Sequence, residues 1–169
     1  MSILLPHTSV SVIESRWWQA SHESVRPLFE LLSELHTGSS NKFDYEMCNS
    51  KAGFREAIER QLGNPECSYL SLNTHGNKQG LQLFNEEGVS RTVLRNAFHR
   101  ESEQRNTAGL HLGCCSFLSS VLAEFMYQAD ISPWWIAGYG EKINWVESTS
   151  LDFMFFNKLL ETKGNCSPV

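Results

Sequence analysis

Two short apolar runs in this chain end in side chains able to do nucleophilic chemistry. The first, Tyr69-Leu70-Ser71-Leu72-Asn73-Thr74-His75-Gly76, delivers an imidazole, the group best suited to exchanging protons near neutral pH. The second, Gly109-Leu110-His111-Leu112-Gly113-Cys114-Cys115-Ser116, delivers two adjacent thiols. The thiolate is the nucleophilic form of cysteine, and a neighbouring histidine is what generates it. His75 and Cys115, forty residues apart, are therefore a candidate dyad if the fold joins the two run ends. Gly76 tolerates positive φ and lets a substrate carbonyl approach the backbone, where its N–H would donate to an oxyanion. Each motif also has a purely structural reading. His-Gly makes strand-ending turns, and free cysteine is among the most buried residue types.

Strand alternation puts Leu110, Leu112 and Cys114 on one face and His111, Gly113 and Cys115 on the other, which leaves either thiol open as the nucleophile. Cys115 lies nearer the helix expected after the strand, with Ser116 behind it in the N-cap region, where the helix dipole lowers a thiol pKa. Cys115 is preferred on that ground, with Cys114 as the alternative nucleophile or a packing residue. His111, inside the strand, reads as a satisfied core or sheet-face histidine. His7, His22, His36 and His99 read as solvated, and Cys48, Cys67 and Cys166 as structural. Trp17-Trp18 and Trp134-Trp135 suit a core or interface, with a pocket role open. Glu14 and Arg16 stand at the exit of the first expected strand, on the same edge as His75. They form a candidate specificity pocket in which Glu14 favours a basic and Arg16 an acidic substrate residue, unless the two simply pair with each other.

These groups need a scaffold, and the pattern supplies one. Strands are expected at Val10–Ser15 and Phe43–Cys48, within the runs Tyr69–Gly76 and Gly109–Ser116, and at Gly80–Phe84 and Trp134–Tyr139. Helices are expected at Ser24–His36, with Pro27 in its first turn, at Lys51–Leu62, at Val89–His99 capped by Ser90, at Phe117–Gln128 and at Trp145–Leu160. Alternating strands and helices call for an α/β fold: a three-layer sandwich with a mainly parallel, doubly wound sheet. Parallel strands carry their chemistry at the carboxyl edge, where His75 and the thiols would both emerge.

Length and composition narrow the class further. The 169 residues suit a single domain over 1–169 with a sizeable core. A net charge of −5 gives no basic footprint, so nucleic acid is not an expected partner. No apolar stretch reaches membrane-spanning length, and Met1–Pro6 lacks the basic flank and apolar core of a secretory signal. Five cysteines without CxxC spacing argue against a zinc site or a complete disulfide framework, and for reduced thiols in a cytoplasmic protein.

Leu70-Ser71-Leu72-Asn73-Thr74-His75-Gly76 followed by Leu110-His111-Leu112-Gly113-Cys114-Cys115-Ser116 resembles the caspase-like peptidases, the group of caspases, metacaspases, gingipains, separases and CHAT domains. In that group an apolar strand ends in His-Gly, and a later one ends in the nucleophilic Cys. The resemblance covers Val10 to Leu160 in strand–helix order and rests on the two short segments in residue detail. It implies a caspase-like sheet and a cysteine endopeptidase with a His75/Cys115 dyad. It also implies no metal or organic cofactor, a protein or peptide substrate and an activating protein partner. A separase-like reading of Leu112-Gly113-Cys114 would favour Cys114. Phe117 replaces a glycine common two residues after the nucleophile, and no maturation linker or second subunit is evident. By analogy the chain suits a regulated bacterial defence or signalling module, with Asn77–Gly88 and Gly138–Asn144 as gating loops. Two other functions compete: a non-catalytic α/β adaptor that binds a partner protein, and another thiol hydrolase using the same dyad.

Overall fold

A computed structural model describes residues 8–17, 23–100, 107–127 and 133–164. Met1–Pro6, His7, Trp18, His22 and Cys166 lie outside that set. Five strands form the main sheet: β1 (Val10–Glu14), β2 (Asp44–Met47), β3 (Tyr69–Asn73), β7 (Gly109–Gly113) and β8 (Trp135–Gly138). Their order is β2-β1-β3-β7-β8, and every neighbouring pair is parallel. The chain thus starts in the interior, steps out to β2, returns to β3 and continues to the opposite edge. This reversal makes the sheet doubly wound, with a crevice at the carboxyl ends of β1 and β3.

Strand alternation sorts the core into two layers. Ile13, Leu70, Leu72, Leu110, Leu112 and Cys114 face α2 (Lys51–Leu62), α3 (Arg91–Arg100) and α4 (Ser120–Tyr127). Val10, Val12 and Tyr69 face α1 (Arg26–Thr37) and α5 (Trp145–Gly164). Helices on both faces of the sheet give the α/β three-layer sandwich expected from the pattern. Local chemistry explains the better-defined boundaries. Ser50 caps α2 by accepting from the Gly53 N–H, and Gly38 closes α1 in the left-handed conformation at φ 74.

Between β3 and α3 the chain forms a small antiparallel meander of β4 (His75–Asn77), β5 (Gly80–Gln82) and β6 (Gly88–Ser90). Val89 and Ser90 are therefore strand, not the first turn of α3, as suits a buried β-branched valine. Ser90 still accepts from the Val93 N–H, as a cap does. Leu81, Leu83 and Val89 plug the meander into the core, so the expected gating segment Asn77–Gly88 is anchored at Leu81 and Leu83.

Candidate active site

Parallel pairing sets Asn73 beside Gly113, so the two chemistry-bearing runs finish side by side. One residue past β3, the chain turns into β4 and lays Gly76 on the Cys114–Cys115 backbone. A Cβ at Gly76 would lie 2.8 Å from the Cys115 carbonyl oxygen and 3.0 Å from the Cys114 Cβ. The φ of Gly76 lies outside the left-handed region. Close approach, not the positive φ expected of a turn glycine, is what the position demands.

His75 is held from the other side. Its Nε2 lies 2.8 Å from the Trp17 carbonyl oxygen, and the Trp17 indole meets its ring edge-on at 5.2 Å. A carbonyl only accepts, so Nε2 donates to it. His75 and Cys115 line one cavity of about 260 Å³, together with Trp17, Trp145 and Asp152. The two thiols separate sharply. Cys114 is 1% exposed among core residues, and burial pushes its thiol far above the ordinary range, with Cys115 and Asp152 adding to the effect. Both cysteines line the cavity, but Cys115 is half-buried and has its sulfur 3.6 Å from the Ile143 carbonyl.

Cys115 does not stand at the N-terminus of α4, so the expected helix dipole is not at the thiol. α4 begins only at Ser120 and takes its cap from Ser119, which accepts from the Leu122 N–H. A turn fills the gap, and in it Ser116 adopts φ 58, a left-handed conformation uncommon outside glycine. The Ser116 N–H donates to the Glu141 carbonyl at 3.1 Å, which ties this turn to the Gly138–Asn144 loop. Tyr139 and Ile143 of that loop line the cavity, so of the two expected gates it is the one at the thiol.

Glu14 and Arg16 do not form the expected pocket. The Glu14 carboxylate is fully buried and accepts from Trp17 Nε1, Ser24 Oγ, the Val25 N–H and Tyr45 Oη. It therefore holds the segment carrying Trp17, and through it the carbonyl that binds His75. Arg16 borders a separate shallow groove on the far side of His75, with its guanidinium 5.5 Å from the Phe84 ring centroid. The two residues are not paired with each other.

A buried polar chain beneath the cavity escaped the sequence reading. Asn73 Nδ2 donates to Ser71 Oγ at 2.9 Å, and Ser71 lies 3.0 Å from His111 Nδ1. His111 Nε2 lies 3.0 Å from Asp152 Oδ1, which also accepts from Tyr139 Oη. His111 is thus a satisfied buried histidine. Burial and the bonded Asp152 carboxylate raise the Tyr139 phenol well above its usual range. The one available signal was Asp152 itself, an acid set in the apolar run Leu151–Phe156. Among the described residues no group of three or more His, Cys, Asp or Glu side chains is placed to hold a metal ion. None of their helices is long and apolar enough to cross a membrane. Comparison with protein-family models and with curated proteins finds no match, so the site is read from its own geometry.

Proposed function

We propose that this chain is a cysteine endopeptidase of caspase-like type. The observation that supports the reading is the packing of Gly76 against Cys114–Cys115, with His75 and a half-buried Cys115 lining one cavity. In this scheme the Cys115 sulfur attacks a peptide carbonyl, and its oxygen becomes an oxyanion bound by the Gly76 and Cys115 N–H groups. His75 takes the thiol proton and passes it to the leaving amine as the C–N bond breaks, leaving a thioester. Water then attacks the thioester while His75 accepts its proton, which releases the acid and restores the thiol. The chemistry calls for no cofactor.

The proposal extends to a cytoplasmic protein in bacterial defence or signalling, held in check until a protein partner acts on the Gly138–Asn144 loop. A peptide library incubated with purified chain, with and without candidate partners, tests it. Cleavage that disappears in Cys115→Ala and persists in Cys114→Ser is expected. Cleavage lost in Cys114→Ser alone would move the nucleophile to Cys114. Turnover of acyl or side-chain amide substrates but not peptides would make the chain a different thiol hydrolase.

A further inference from the structure

The cavity beside Cys115 contains a carboxylate that the proposed catalysis does not use. The Asp152 side chain is only 8% exposed, and its Oδ1 is occupied by His111 and Tyr139. Its Oδ2 accepts no hydrogen bond from a described residue, yet it is not sealed from solvent, and Asp152 lines the cavity. The polar chain beneath reaches Oδ1 alone, through His111 Nε2 and Tyr139 Oη. Glu23 adds a second acid to the lining, and no Lys or Arg lines the cavity among the described residues.

A buried carboxylate with an open oxygen favours any ligand that brings a cation to it. The remaining walls include Trp17, Val25, Ile143 and Trp145, an apolar sleeve suited to a methylene stem, with indoles that also favour a cation. At about 260 Å³ the space is smaller than pockets for drug-sized ligands, which run from roughly 300 to 1,000 Å³. It suits one long side chain.

We propose that Asp152 is a specificity-determining residue that selects lysine or arginine immediately before the scissile bond, with the cationic head on Oδ2 and the stem between Trp17 and Trp145. The inference rests on Cys115 being the nucleophile. Since Oδ1 is already committed, the contact is single-pronged, and both cations are accepted. The acid that selects the substrate is thus Asp152, from α5, and not Glu14.

Peptidyl acyloxymethyl ketones carrying Lys, Arg, Leu or Asp at that position test this by intact-protein mass spectrometry, with iodoacetamide run in parallel. The Lys and Arg probes are expected to label Cys115 at least about tenfold faster than Leu or Asp. In Asp152→Asn the Arg-to-Leu rate ratio is expected to fall by about tenfold or more, and in Glu23→Gln by less. Uniform slowing of all probes in Asp152→Asn with the ratio kept would reveal a merely structural role and overturn the proposal. Selective alkylation of Cys115 with Leu or Asp probes fastest would overturn it too, while sparing the nucleophile. If neither iodoacetamide nor any probe singles out Cys115, the nucleophile reading falls and this inference falls with it. If the Asn variant does not fold, the wild-type ranking tests the basic selectivity, and its retention in Glu23→Gln assigns that selectivity to Asp152 while its loss overturns the assignment.

Discussion

Substituting Gly76 by alanine probes the contact on which the whole site depends. The new methyl would sit 2.8 Å from the Cys115 carbonyl oxygen, where ordinary contact begins near 3.4 Å, and 3.2 Å from the Cys114 sulfur. The oxygen belongs to the backbone of a half-buried turn tied to Glu141, so it cannot swing aside as a flexible side chain would. About 0.6 Å of separation must be found by moving β4 away from the thiols. Overpacking of this kind costs about 1–3 kcal/mol, or roughly 2–12 °C in Tm for a chain of this size. The same shift carries His75 away from Cys115. Because a 1 Å misplacement can cost about 10²-fold, a fall of about tenfold or more in Cys115 alkylation and in peptide cleavage is expected. Gly80→Ala is the control. Its methyl would meet the Val89 carbonyl oxygen at 2.6 Å, inside the meander, so it should lower Tm while sparing Cys115 more than Gly76→Ala does. Thermal melts by circular dichroism and iodoacetamide kinetics read both effects. Wild-type Tm together with wild-type alkylation in Gly76→Ala would refute the close approach of the two run ends.

Limited alkylation of folded protein near pH 8 should modify Cys115 and spare Cys114 and Cys67, both sealed in the core; mass mapping that finds Cys114 first would reverse their roles. Glu14→Gln should destabilise the chain by at least about 2 kcal/mol, since the amide cannot accept all four donors that the carboxylate now satisfies, and an unchanged melt would deny that network. Tyr45 and Tyr139 should ionise late in an alkaline titration followed at 295 nm, because burial, foremost, and bonded carboxylates hold both phenols above the usual range. Each is raised in the folded state, so its contribution to stability is intact below about pH 10, where unfolded tyrosine ionises, and declines as pH rises further. Melts that do not weaken from pH 9 to 11 would contradict this.

Much of the scaffold was legible because its signals are local. Lys51–Leu62 carries its own period and a Gly-Asn-Pro stop, and the helix occupies those bounds. The apolar runs around Leu70–Leu72 and Leu110–Leu112 are short and buried on both faces, so they had to be interior parallel strands, and they pair. What stayed hidden depends on contacts between distant segments. Glu14 looked like a cleft residue by its place at a strand exit, but it shares a face with Val10 and Val12 and turns inward to donors from three segments. Asp152 could not be placed because its partners, His111 and Tyr139, lie on β7 and the loop after β8. The break between Cys115 and α4 was invisible too, since nothing in Ser116–Ser119 announces a left-handed turn at a serine.

The order in which the cavity's walls occur along the chain has a consequence for synthesis. Trp17 comes from the beginning, His75 from the middle, Cys115 later still, and Trp145 and Asp152 from the last helix. Chains emerge from the ribosome amino end first, and segments can begin to fold as they appear. A growing chain can therefore pair β1, β2 and β3, and even seat Gly76 on the thiols, while the α5 wall is still unmade. Until α5 docks, the thiol faces a half-built trough without Trp145 or Asp152, and not a chamber. On the proposed reading, selectivity is thus acquired after the nucleophile and its histidine are in place, and a chain cut short before α5 would carry a nucleophile with no means of choosing what it attacks.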